Sequence, residues 1–204
     1  SCKWDSIFPF DDLWRVVGRV LKPNGAFVTT ACQPFTSALI MSNPKWFRFV
    51  WVWDKVNRVS NFGNVKYMPL RRHEDIVVFA KKTPIFNPQM TEGQPYKTDS
   101  FSRSNGKETP GVYVGGGLKG RRFINEGVRF PVSILSIKAK VNKEQGLHPT
   151  QKPIELYEYL VKSYSNKGDT IFDPCMGSGT TGVACLNLER SFIGVDNDLE
   201  SYET

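Results

Sequence analysis

The sequence predicts an α/β fold built on a largely parallel sheet, and three observations predict it. Short apolar, β-prone runs alternate with helical periodicity near both ends of the chain. One of those runs, Thr170-Ile171-Phe172, passes through Asp173-Pro174-Cys175-Met176-Gly177-Ser178-Gly179-Thr180-Thr181 into a helix-like run, Thr181–Leu186. The next apolar run, Ser191–Val195, stops at a second acid, Asp196. A strand that turns on glycines into a helix exposes bare backbone N–H groups to a ligand, so the layout points to a nucleoside cofactor.

The elements follow in order. Phe10, Leu13, Val16, Val17, Val20 and Leu21 recur at helical spacing, with Asp11 and Asp12 near the positive helix N-terminus. Pro23-Asn24-Gly25 ends that helix. Residues 26–31, 47–53 and 76–80 are apolar or aromatic and β-branched, and are read as strands. Regularity fails over 83–147, which holds 9 of the 17 glycines and 5 of the 13 prolines. A structureless stretch of that length inside a domain is usually functional or mobile; a short strand is expected within 128–138. Pro153 suits a first helical position, with Ile154, Tyr157, Leu160, Val161 and Tyr164 as the buried face and Gly168 as the stop. Strand 169–173, helix 179–189 and strand 191–196 complete the alternation. No internal repeat is visible.

Composition bounds the function. The 204 residues, 40% of them hydrophobic, can build one domain with an insert. No apolar run approaches the ~20 residues of a membrane span, and the N-terminus lacks the pattern of a secretion signal. Cys2, Cys32, Cys175 and Cys185 form no CxxC pair, and His73 and His148 are the two histidines. A structural zinc site is therefore not expected, no metal is implied, and reduced cytosolic thiols are the default. The net charge of +7 is localised: residues 81–147 carry 12 Lys/Arg against 5 Asp/Glu, and the remainder is neutral. A balanced body with one basic insert calls for a polyanionic partner.

Gly177-Ser178-Gly179-Thr180-Thr181-Gly182 satisfies GxGxxG, and Asp196 lies about where a ribose-binding acid should, so a nicotinamide oxidoreductase stays open on the turn alone. So does a turn that merely packs a helix on a strand. A P-loop is excluded, because Val183 stands where the phosphate-reaching lysine belongs.

The segment before the turn, His148-Pro149-Thr150-Gln151-Lys152-Pro153, narrows the choice. HPTQKP, a helix, DPCMGSGTTGVAC and then FIGVD resemble the cofactor half of the permuted beta-class DNA amino-methyltransferases, closest to the small phage and bacterial adenine methylases. LKPNGAFVTTA at 21–31 and HEDIVVFAKK at 73–82 extend the resemblance over nearly the whole chain. The resemblance implies a Rossmann-like, mostly parallel sheet in permuted order, with helices on both faces and a basic, loop-rich insert. It divides the chain into a catalytic-side half (1–82), a DNA target-recognition insert (83–147) and an S-adenosylmethionine-binding half (148–204). It further implies methyl transfer from S-adenosylmethionine to an exocyclic amine of DNA, adenine N6 first and cytosine N4 as the alternative, by direct displacement on a flipped base. A methyltransferase-derived module that binds DNA without catalysis is a further alternative. The setting would be restriction-modification in the cytoplasm of a bacterium or phage-infected host. A homodimer and a cognate restriction endonuclease are open.

The family's site maps onto this sequence residue by residue. Asp173 would face the cofactor's ammonium, with Pro174, Cys175, Gly177, Ser178, Gly179 and Thr180 shaping the pocket. Thr150, Gln151 and Lys152 would supply donors to its carboxylate, and Asp196 would accept the ribose hydroxyls. An acid at the turn would repel a dinucleotide's pyrophosphate, which favours the zwitterionic ligand. The remaining candidates have plainer readings: His148 as a structural hydrogen-bonder, Cys175 as a small pocket residue, Asp198 as a helix cap, and His73-Glu74 as residues that order a loop.

The sequence departs from the family in one respect. The family's Pro-Pro-aromatic loop, which holds the target amine, is absent; Asn43-Pro44-Lys45-Trp46 is a distant echo in the wrong place. In the permuted order that loop belongs just before Ser1. No catalytic residue is assigned within the chain, which alone is expected to be inactive.

Within the insert, Arg103, Lys107, Lys119, Arg121, Arg122 and Arg129 are the candidate contacts to double-stranded DNA. Phe101, Tyr113 and Phe123 are interleaved for stacking, and Gly115-Gly116-Gly117 suits a segment that orders on binding. Charge reversal at Arg121 and Arg122 is expected to weaken DNA binding and leave S-adenosylmethionine affinity alone. A gel shift at moderate salt that shows unchanged DNA affinity overturns this assignment.

Overall fold

The computed structural model describes residues 9–99, 122–139 and 151–197. The chain divides into two compact units, residues 1–87 with 132–204 and residues 88–131. In chain order the elements are α1 (Phe10–Val20), β1 (Phe27–Ala31), α2 (Phe35–Ser42), β2 (Phe47–Asp54), β3 (His73–Phe79), β4 (Thr91–Glu92), β5 (Tyr96–Asp99), β6 (Arg122–Asn125), β7 (Val128–Arg129), β8 (Ile134–Ser136), α3 (Ile154–Tyr164), β9 (Thr170–Asp173), α4 (Thr180–Asn187) and β10 (Ser191–Gly194).

The larger unit is organised on β3. Ile76, Val77, Val78, Phe79 and Ala80 form an unbroken apolar run, and each is fully buried. A run of that kind has both faces covered. Period-two alternation sends Ile76 and Val78 into one cluster with Trp51, Trp53, Leu156, Leu160 and Tyr164, beneath α3. Val77 and Phe79 enter a second cluster with Leu39 of α2 and Phe10, Leu13 and Trp14 of α1. Helices therefore lie on both faces. The four-stranded sheet has the order β1-β3-β2-β8. β3 is antiparallel to β1 and β2, while β2 and β8 are parallel. Three strands thus share one direction, with β3 opposed between two of them. A separate parallel pair, β9 and β10, aligns Asp173 with Gly194. α4 packs on both α3 and β10.

The helices show which sequence signals count. α1 begins with Asp11 and Asp12 in its first turn and ends where Lys81 donates from Nζ to the carbonyls of Gly18 and Leu21, at 2.6 and 2.9 Å. A lysine at a helix C-terminus satisfies orphan carbonyls and complements the helix dipole. The expected Val20 lies off the buried face, which Trp14 joins instead. Pro153, expected at the first helical position, instead caps α3 with extended backbone, and the helix's most buried residue is Leu156, with Ile154 and Tyr157 at the margin. Buried polar groups in this core are paired: the Trp51 indole donates to the Tyr164 hydroxyl at 2.6 Å, and the Trp53 indole to the Ile137 carbonyl at 2.8 Å.

The smaller unit is described at its two ends. β4 pairs with β7 and β5 with β6, both antiparallel. Gly127, at φ +100°, has the Gly93 carbonyl oxygen 2.7 Å from where a Cβ would stand, so a side chain is excluded there on both counts.

Truncating β3 at Ile76 leaves a void in the cluster beneath α3. Ile76→Ala is expected to cost about 2–5 kcal/mol in urea denaturation. Val20→Ala, on an exposed helix surface, is expected to stay within about 0.5 kcal/mol of the parent.

Candidate functional site

The site is built where β9 ends. β9 is held by β10, and the chain then leaves the sheet through a turn that Asp173 closes. One Asp173 carboxylate oxygen accepts the Cys175 N–H at 3.0 Å, and the other accepts the Thr181 hydroxyl at 2.5 Å. The turn is anchored to the neighbouring strand end: Met176 N–H donates to the Val195 carbonyl at 3.1 Å, and Val195 N–H to the Asp173 carbonyl at 2.9 Å. Asp196 accepts the Gly177 N–H at 2.7 Å. The two acids singled out in the sequence thus converge on one turn from adjacent strands, as the parallel register requires.

The three glycines of the GxGxxG match have different tasks. Gly177 and Gly179 adopt φ of +49° and +69°, and a Cβ on either would meet nothing within 4 Å. They are needed for backbone conformation, and their faces are open to a ligand. Gly182 faces inward, and its Cβ would stand 2.9 Å from the Phe192 ring, so it serves the packing of α4 on β10. Gly194 is filled in the same way by Met176 and Phe192. Packing alone therefore explains Gly182 but neither Gly177 nor Gly179.

Thr180 is buried at the head of α4, where the Gln151 amide donates to its hydroxyl at 3.4 Å and Ser178 lies 3.3 Å away. Gln151 is thereby brought to the turn. Lys152 points to Glu74, with its Nζ 3.6 Å from one carboxylate oxygen, while Lys55 holds the other at 2.6 Å. Pro174 and Cys175 are exposed on the turn. Thr150 and His148 lie outside the described residues, as do Asp198 and Cys2.

Glu74, Lys55 and Tyr157 belong to this region and were not among the expected cofactor contacts. Glu74 does order its surroundings, as the plain reading of His73-Glu74 has it, but through ion pairs from two directions. Tyr157 on α3 has its phenol pushed up to about 12, by burial first and then by the Asp173 and Glu74 carboxylates. It is a neutral O–H donor across the physiological range. The Cys175 thiol is raised by desolvation and then by Asp173 and Asp196. A raised thiol is a poor nucleophile, in keeping with a pocket residue. Cys185, fully buried in α4, is pushed up to about 11, mainly by burial.

Of the residues expected to meet DNA, Arg103, Lys107, Lys119 and Arg121 lie outside the described residues, with Phe101, Tyr113 and Gly115–Gly117. Arg122 and Phe123 begin β6, opposite Asp99 and Thr98. Arg129 is engaged within its own unit. Its guanidinium donates to the Gln94 carbonyl and the Asn125 side chain and lies 4.6 Å from the centre of the Tyr96 ring. A cation–π contact of that kind holds the side chain against its own unit.

The division among the glycines makes a double-mutant test. Gly182→Ala and Gly179→Ala are both expected to lower Tm, the second through a loss of stability of ~1–2 kcal/mol for a non-glycine left-handed residue. Adding Phe192→Leu is expected to recover stability in the Gly182→Ala background and not in the Gly179→Ala background, as read by thermal melts of all the variants.

Comparison with known proteins agrees with this geometry. The profile of the DNA methylase family matches residues 7–204. The type II methyltransferase M2.DpnII of Streptococcus pneumoniae is 29% identical over 208 residues, covering 97% of this chain and 67% of that protein. The chain thus spans about two thirds of the length of that relative. The crystal structure of the M1.HpyAVI–SAM complex matches with a TM-score of 0.62 and 25% identity, over 97% of this chain and 80% of that one. The cytosine-N4-specific PvuII DNA methyltransferase shares the fold, with a TM-score of 0.65 at 15% identity over 95% of this chain and 68% of that one. With its paired acids around an open glycine turn, the chain belongs to the DNA methylase family of S-adenosylmethionine-dependent enzymes that methylate exocyclic amines of DNA bases.

Proposed function

We propose that the methyl acceptor is adenine N6 in double-stranded DNA and that the glycine turn at 173–181 is the S-adenosylmethionine site. The observation that carries the cofactor assignment is the pair of glycines with open faces, Gly177 and Gly179, set between Asp173 and Asp196. A carboxylate has lone pairs beyond the one each oxygen uses here, so Asp173 can close its turn and still accept from an ammonium. Asp196, at the end of the neighbouring strand, would accept the ribose hydroxyls. Gln151 is already drawn to the turn by Thr180 and would serve the amino-acid end. The cofactor supplies an electrophilic methyl group, and these residues bind and orient it.

Two carboxylates around the turn disfavour a nicotinamide dinucleotide, whose pyrophosphate would sit beside Asp173. The unit at 88–131 includes all six expected DNA contacts, and we assign target recognition to it. The name of the type II relative supports a restriction-modification setting, with a cognate endonuclease as the cellular counterpart. No helix among the described residues is long and apolar enough to cross a membrane, and a cytoplasmic enzyme is part of this proposal.

Calorimetry on the chain is expected to show S-adenosylmethionine binding and no NAD binding, and Asp196→Ala is expected to weaken the former by tenfold or more, about 1.4 kcal/mol for one lost charged acceptor. NAD binding alone sinks the cofactor assignment. Base analysis of DNA from cells expressing the full-length gene, rather than this chain alone, is expected to find N6-methyladenine; N4-methylcytosine in its place would move the acceptor.

A further inference from the structure

Period-two alternation sorts the side chains of β3 between two helix layers. Ile76 and Val78 lie beneath α3 with Leu156 and Leu160. Glu74, two residues before Ile76, takes the same face, one step beyond the apolar pair. Asp75 takes the opposite face, where it accepts the Thr36 hydroxyl of α2 at 2.7 Å. The neighbouring acids therefore serve different layers, and it is Glu74 that comes to the segment leading into α3.

There it meets two lysines on unequal terms. Lys55 Nζ stands 2.6 Å from one carboxylate oxygen, and Lys152 Nζ 3.6 Å from the other. The first is a close ion pair. The second is longer than a hydrogen bond, so Glu74 attracts the Lys152 ammonium without taking up its N–H donors. Two cations share one anion, which leaves the cluster one positive charge in excess. All three side chains are largely shielded from solvent, where a surplus charge acts more strongly than at an open surface.

That surplus lies a short way along the chain from the glycine turn. Gln151, the residue before Lys152, donates to the Thr180 hydroxyl at 3.4 Å. Thr181, the residue after Thr180, donates to Asp173 at 2.5 Å. Tyr157, one turn into α3, feels the carboxylates of both Asp173 and Glu74. Asp173 thus offers a negative end and Lys152 a positive one. An amino-acid group matches that polarity, with its ammonium toward Asp173 and its carboxylate toward Lys152. A free lysine side chain samples many rotamers, and a fixed anion beside it restricts them before the ligand arrives.

We propose that Glu74 is a positioning residue for the cofactor: it holds the Lys152 ammonium where that cation meets the methionine carboxylate, and Lys55 keeps Glu74 from closing on Lys152. Glu74 acts through Lys152 and not by touching the cofactor. The inference rests on the glycine turn being the S-adenosylmethionine site and deepens it, because a residue that opens β3 sets the carboxylate end of that site.

The test is calorimetry on the chain with two ligands. One is S-adenosylmethionine; the other is its decarboxylated form, which keeps the sulfonium, the ammonium and the ribose and lacks the carboxylate. Glu74→Gln is expected to weaken S-adenosylmethionine on the order of tenfold, the measure of one charge-assisted contact, and to leave the decarboxylated ligand near the parent's affinity. Lys152→Met is expected to show the same selective loss, and adding Glu74→Gln to it is expected to weaken binding no further. Lys55→Met, which lets Glu74 close on Lys152, is expected to act in the same selective sense and carries the test if Glu74→Gln does not fold. Equal losses for both ligands make the role of Glu74 structural and overturn the proposal. So does unchanged or tighter binding of S-adenosylmethionine by Glu74→Gln, and so do additive losses in the double variant; in each case a parent that binds S-adenosylmethionine leaves the cofactor site standing. A parent that binds neither ligand overturns the proposal together with the cofactor reading beneath it.

Discussion

Strand β3 must be covered on both faces, and that constraint arranges everything around it. Ile76 to Ala80 admit no water, so no polar side chain can sit among them without a buried partner. The first polar residues come at the strand's opening, His73, Glu74 and Asp75. There the pairing register sets Asp75 beside Ala31 at the end of β1 and His73 beside Asp54 at the end of β2. Acidic groups excluded from the core are thus collected at the rim where β3 begins, while Lys81 follows the run at its other end. Asp75 takes the Thr36 hydroxyl at 2.7 Å, which fixes the start of α2, and Glu74 gathers two lysines. The polar edge of the site is a consequence of how apolar the strand behind it has to be.

The glycine turn shows how one sequence pattern can hold separable physical demands. Gly182 answers to the Phe192 ring, as any helix lying close on a strand would require. Gly177 and Gly179 answer to backbone sign alone, with open space where a side chain would go. A turn that existed only to pack α4 would need the first demand and not the second. Asp173 adds a third demand, since both of its oxygens are used in closing the turn. Its carboxylate therefore stays fixed at the turn, with Asp196 hydrogen-bonded to Gly177 of the same turn, and any ligand there must tolerate two carboxylates. A zwitterion with an ammonium and a ribose does; a pyrophosphate does not.

Much of this was legible in the sequence, for identifiable reasons. Helices α1 and α3 sit close to their predicted spans because each has one apolar face, and β1, β2, β3, β9 and β10 are found because each is an apolar or β-branched run; β4, β5 and β6, short and largely polar, were missed. α2 was missed: Phe35–Ser42 is apolar around most of its circumference, so no period marks it. Strand direction was also hidden. Nothing in Ile76–Phe79 says that β3 runs against its neighbours, since alternation is the same in either sense. At the site, Asp173 and Asp196 were found by position after apolar runs, but the turn-closing role of Asp173 depends on Thr181, eight residues on. Glu74 was invisible as a site residue because its meaning comes from Lys152, far along the chain. Arg129 was chosen on charge alone, and charge does not reveal that Tyr96 and Asn125 would occupy its guanidinium.

The Lys55–Glu74–Lys152 cluster bears on what such contacts are for. All three side chains are partly shielded, at 15%, 17% and 23% accessibility, yet still touch solvent. Ion pairs at that depth contribute on the order of 1 kcal/mol or less each once desolvation and side-chain ordering are counted. The core, with whole aromatic and aliphatic side chains withdrawn from water, outweighs them many times over. Their effect on stability is therefore small, and their effect on position is not. Lys55 leaves the end of β2, Glu74 opens β3, and Lys152 precedes α3. The three meet only if the sheet's rim, the start of the β2–β3 connection and the segment carrying Gln151 are in register. A charge cluster worth little in folding energy can still determine where the segment carrying Gln151, and through Thr180 the glycine turn, stands against the rim of the four-stranded sheet.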